Sequence, residues 1–86
     1  MNMSYKQIAK WKKERDEAIK SLDIRKFKKF YYKWFEKGIY EIGLPSDDIV
    51  EVTIYKMLYN LKSSTEEEKE LAKNWLKERG ASTKLY

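Results

Sequence analysis

The sequence predicts an all-α protein, a compact four-helix domain built from two antiparallel helical hairpins over residues 1–80. Three observations carry this reading. Apolar residues recur at helical spacing in four segments, near 5–21, 24–37, 47–62 and 66–79. Capping residues open these segments, or a glycine follows their last turn. The links at 21–23 and 62–65 are short enough to fold each helix back along its predecessor.

The first helix opens on a capping box, with Ser4 and Gln7 placed to satisfy each other's free backbone N–H groups. Ile8, Trp11, Ala18, Ile19 and Leu22 then share one face. Arg15 falls within that stripe, where its stem would pack at the core edge and its head would stack on Trp11. Asp23 is the natural N-cap of the second helix and Gly38 its terminator. Ile24, Phe27, Phe30, Tyr31, Trp34 and Phe35 give this helix the strongest periodicity in the chain.

Between Gly38 and Pro45, the residues Ile39, Tyr40, Ile42 and Leu44 are too apolar for a solvated linker. They are expected to pack across the end of the bundle. Pro45, Ser46, Asp47 and Asp48 announce the third helix, with acidic groups at its positive dipole end. Val50, Val52 and Ile54 alternate as in a strand, but the longer stripe of Val50, Ile54, Met57, Leu58 and Leu61 favours helix. Ser64 with Glu67, and Thr65 with Glu68, offer overlapping capping boxes for the fourth helix. Its stripe is Leu71, Ala72, Trp75 and Leu76, and Gly80 ends it; residues 81–86 read as a flexible tail.

Composition narrows the function. With 86 residues the chain stands near the lower limit for a self-sufficient core, helped by its three Trp, seven Tyr and three Phe. Histidine and cysteine are both absent, which removes the commonest general base, the thiol nucleophile and the main transition-metal ligands. The three glycines are dispersed and form no phosphate loop. The acidic clusters Asp47-Asp48-Glu51 and Glu66-Glu67-Glu68-Glu70 lie in first helical turns, where capping explains them. A non-enzymatic protein without a cofactor is expected, as a monomer or homodimer. The missing disulfides suit a cytoplasmic setting. No apolar run resembles a signal peptide or a membrane span.

The net charge of +5 is unevenly spread. Residues 1–38 hold 12 Lys/Arg against 5 Asp/Glu, whereas residues 39–86 hold 7 against 9. On the second helix Arg25, Lys26, Lys29, Lys33 and Lys37 project away from the aromatic stripe, and Lys6, Lys10, Lys13 and Lys20 form a second stripe on the first. Such a surface is either the solvated face any amphipathic helix needs or a phosphate-binding face for nucleic acid. Tyr32 borders it and could stack on an unpaired base. A helix-turn-helix docking through the third helix is excluded, because Asp47, Asp48 and Glu51 would meet the phosphates. A second candidate surface is the flank of Val52, Tyr55 and Tyr59: either the third helix is buried all round, or these residues anchor a protein partner or a second copy.

The run Phe27 to Phe35 (FKKFYYKWF), Gly38, Leu44-Pro45-Ser46-Asp47 leading to Lys56-Met57, and Thr65-Glu66-Glu67-Glu68 through Trp75-Leu76 resembles small uncharacterised proteins of bacterial prophages and other mobile elements. The resemblance spans most of the chain by spacing and composition and carries no catalytic residue. It implies an accessory protein that binds host proteins, nucleic acids or nucleoprotein machines, including as an inhibitor of host defence.

Overall fold

The structure is a computed structural model that describes residues 4–38 and 42–85. It is all-α, with α1 at Tyr5–Lys20, α2 at Ile24–Glu36, α3 at Asp47–Asn60 and α4 at Glu66–Glu78. No strand occurs among the described residues. The chain divides into two compact units, one reaching Pro45 and the other starting at Ser46. Each is a helical hairpin: α1 packs on α2, and α3 packs on α4.

The helices end slightly earlier than the periodicity suggests. Ser21, Lys37 and Arg79 are caps rather than helical residues, and Leu61 has already turned extended at φ −69°, ψ 133°. Apolar periodicity continues through a cap, so it overshoots the last helical residue.

In the N-terminal hairpin the expected capping box forms. The Gln7 N–H donates to Ser4 Oγ at 3.2 Å, and the Ser4 N–H donates to Gln7 Oε1 at 3.1 Å. The turn into α2 uses a residue the sequence did not flag. Leu22 occupies the left-handed region at φ 55°, where glycine is usual and a leucine costs about 1 kcal/mol. Local hydrogen bonds offset that strain. The Leu22 N–H donates to the Ile19 carbonyl at 3.1 Å, and Ser21 Oγ donates to the Ala18 carbonyl at 2.7 Å. Asp23 then caps α2, its carboxylate accepting from the Arg25 N–H at 2.8 Å. Ala18 and Ile19 of α1 are buried, as are Phe27, Phe30 and Trp34 of α2.

Beyond α2, Gly38 takes φ 84° as the terminating residue. Ile39 and Tyr40, part of the expected apolar connection, lie outside the described residues. Ile42 is 77% exposed, so its side chain does not pack as the composition suggested, while Leu44 is half-buried. Two tyrosines hold this stretch through its backbone. Tyr31 Oη donates to the Ile42 carbonyl at 2.5 Å, and Tyr32 Oη accepts from the Leu44 N–H at 3.2 Å.

In the C-terminal hairpin residues 49–55 are helical. The alternation of β-branched residues loses to the spacing that buries Val50, Ile54 and Leu58, each 1% exposed. Of the two capping boxes proposed for α4, the Thr65–Glu68 box forms. Ser64 is instead buried, and its Oγ donates to the Leu58 carbonyl at 2.6 Å, satisfying a backbone oxygen where α3 ends. Gly80, at φ 68°, lets the Gly80 and Ala81 N–H groups return to the Lys77 and Leu76 carbonyls at 3.1 and 2.9 Å. Asn60 Nδ2 donates to the Thr83 carbonyl at 2.8 Å, connecting α3 to the segment beyond α4.

Candidate nucleic-acid interface

The aromatic stripe of α2 fixes where its cations point. With Phe27, Phe30 and Trp34 buried, residues 26, 29, 33 and 37 must emerge on the flank beside Phe30. That flank meets α1. An open groove of about 410 Å³ runs between the two helices, with Ala18 and Phe30 in its lining. Lys26, Lys29 and Lys33 border it from α2, while Glu14, Glu17 and Ser21 border it from α1. The volume lies in the range of small-molecule sites.

All eight cations expected to contact nucleic acid are exposed: Lys6, Lys10, Lys13, Arg25, Lys26, Lys29, Lys33 and Lys37. The hairpin does not merge them into one uninterrupted basic face. Lys33 Nζ pairs with Glu14 Oε1 at 2.5 Å, and the second carboxylate oxygen of Glu14 is buried with no hydrogen-bond partner. Lys33 and Lys37 also lie over the Trp34 ring, their ammonium nitrogens 5.7 and 5.3 Å from its centroid. Glu17 falls by helical angle within the α1 stripe of Lys10 and Lys13 and faces the groove. Its carboxylate makes no hydrogen bond or ion pair among the described residues. The same holds for the side chains of Lys6, Lys10, Lys13, Arg25, Lys26 and Lys29.

Two aromatic and cationic residues have structural work. Tyr32, considered for base stacking, places its ring edge-on to Tyr31 and Phe35 at 5.7 and 6.0 Å and uses its hydroxyl on the Leu44 backbone. Arg15 lies over Trp11 at 5.1 Å, as its place in the apolar stripe suggested, and it also pairs with Asp16 at 3.0 Å.

The flank of α3 looks different from a free partner surface. Val52, Tyr55 and Tyr59 are all half-buried. Tyr55 stacks on Trp75 of α4, with centroids 3.9 Å apart and planes within 3°. The Arg79 guanidinium lies 3.8 Å from the centroid of the same Trp75 ring. Burial first, and the Glu51 carboxylate second, raise the Tyr55 hydroxyl above its ordinary pKa, with Arg79 acting in the opposite sense. Tyr55→Ser is therefore expected to lower stability by about 2 kcal/mol, and Tyr55→Phe to change it little, because stacked area rather than the hydroxyl holds the pair. Thermal unfolding of both variants checks this. An unchanged midpoint for Tyr55→Ser would return the residue to the surface.

No family model, curated protein or solved structure matches the chain. Among the described residues no three His, Cys, Asp or Glu side chains gather as metal ligands, and no helix is long and apolar enough to cross a membrane. Sequence reasoning missed Glu14 and Glu17 as parts of the basic surface. A charge pattern read one helix at a time cannot show that α1 turns carboxylates toward the lysines of α2.

Proposed function

We propose that this protein is a non-enzymatic binding module, an accessory protein of a phage or mobile element, that contacts nucleic acid or a nucleoprotein through its N-terminal hairpin. One observation carries the reading: the eight candidate cations on α1, α2 and its C-cap Lys37 are all exposed, and of these eight only Lys33 is matched by an ion pair among the described residues. Holding like charges together without internal neutralisation costs free energy, and phosphates recover it by releasing their condensed counterions. The carboxylates of Glu14 and Glu17 between the lysines, and the apolar lining of Ala18 and Phe30, favour a single strand, whose bases can turn toward the protein while its phosphates follow the lysines. The chain's lack of His and Cys supports a binding role over catalysis.

The test is an anisotropy titration of a labelled single-stranded oligonucleotide between about 50 and about 200 mM salt. Each neutralised phosphate contributes about −0.7 to the slope of log affinity against log salt, so four contacts give about −3. Absence of binding near 50 mM salt, or affinity indifferent to salt, would remove the reading.

A further inference from the structure

The groove between α1 and α2 contains a feature that phosphate binding leaves unexplained. A carboxylate among phosphate-binding lysines opposes the ligand, and here there are two. Glu14 is compensated by Lys33 at 2.5 Å. Glu17 is exposed, borders the groove, and has no hydrogen bond or ion pair among the described residues. Opposite it stand Lys26 and Lys29, also unpaired, with Ala18 and Phe30 lining the space between. The groove thus offers an acceptor pair on one wall, cations on the other and apolar surface between them. Its matching ligand carries N–H donors at one end, an anion at the other and a flat body in the middle.

Resting on the single-strand reading above, we propose that this groove takes a guanine base of an unpaired strand. Glu17 accepts from the base's N1–H and exocyclic N2–H, and Lys26 and Lys29 hold the flanking phosphates. A carboxylate presents two acceptor oxygens side by side. Guanine alone among the standard bases presents two adjacent N–H donors on its Watson–Crick edge. Adenine and cytosine place a ring acceptor beside their amino group, which the second carboxylate oxygen would repel. Uracil and thymine offer one N–H between two carbonyls. The edge is accessible only in an unpaired base, which ties the preference to single strands.

The experiment uses the full chain and short oligouridine probes that carry one central guanine, hypoxanthine or adenine. A single purine per probe avoids guanine self-assembly. The guanine probe should bind about tenfold or more tighter than the adenine probe, the scale of one bidentate base contact. Hypoxanthine, which keeps N1–H and lacks the exocyclic amine, should fall between them. Glu17→Gln should abolish the order while adenine-probe affinity holds or rises, since a negative charge has been removed. Equal affinity for the three probes with normal salt dependence would overturn the guanine assignment and leave the single-strand reading intact. So would a uniform rise for all probes in Glu17→Gln with the order retained. Failure of every probe to bind would overturn both.

Discussion

Replacing Lys26, Lys29 and Lys33 together by glutamate should weaken single-strand binding on the order of a hundredfold or more and flatten its salt dependence by about 2 in slope. These residues border the same groove from successive turns of α2, so a strand following the groove meets all of them. Three favourable charges become three repulsive ones, and the counterions once displaced at each phosphate stay in place. Lys26 and Lys29 are exposed and unpaired, so their reversal should leave the fold intact. Lys33 differs, because a glutamate there would face Glu14. The variant with Lys33→Gln in place of Lys33→Glu avoids that repulsion and should keep the wild-type circular dichroism spectrum while still losing most binding. Anisotropy titration at two salt concentrations reads both effects. A triple variant that binds as tightly as the parent would mean that these lysines only solvate α2. The cations of α1 provide the contrast: Lys6, Lys10 and Lys13 lie outside the groove, so charge removal there should lower affinity less.

Much of the fold was legible because its signals are local. Ser4 with Gln7, Asp23, Gly38, Thr65 with Glu68, and Gly80 each act within one turn of their own helix, and each does what its chemistry suggests. The β-branched run at 49–55 was harder, because period-two and period-3.6 patterns overlap over so few residues. Adding Leu58 to Val50 and Ile54 decided it. The turn at Leu22 was not legible, since nothing local marks a leucine for the left-handed region; it depends on the packing of two helices across a short link. The site followed the same division. Exposure of the basic residues could be read from the wheel of each helix. The Glu14–Lys33 pair spans 19 positions and the Tyr55–Trp75 stack spans two helices, so both required the register of a hairpin.

Trp34→Ala should cost about 3–5 kcal/mol of stability, a large share of the 5–15 kcal/mol available to a domain of ordinary stability. Trp34 is 1% exposed and the largest fully buried side chain, so truncation removes much of the buried area of α2 and leaves a cavity that rigid neighbours fill poorly. Trp34→Phe should cost distinctly less, because most of the apolar volume remains. Both substitutions also remove the indole Nε1–H, which is buried without a hydrogen-bond partner, together with its desolvation penalty. Urea denaturation followed by circular dichroism separates the variants through their midpoints, at unchanged slope if the unfolding remains two-state. Equal losses for the two would show that buried volume at position 34 does not set the stability of the helix pair. The consequence reaches the basic surface, because Lys33 and Lys37 lie over this ring and α2 holds its orientation by burying it. Trp34→Phe should therefore retain strand binding, whereas Trp34→Ala should lose it at the temperature where the helix pair opens. Following binding and helicity of Trp34→Ala through the same thermal ramp makes that dependence visible: coincident loss means the lysines act only when the aromatic face beneath them is packed.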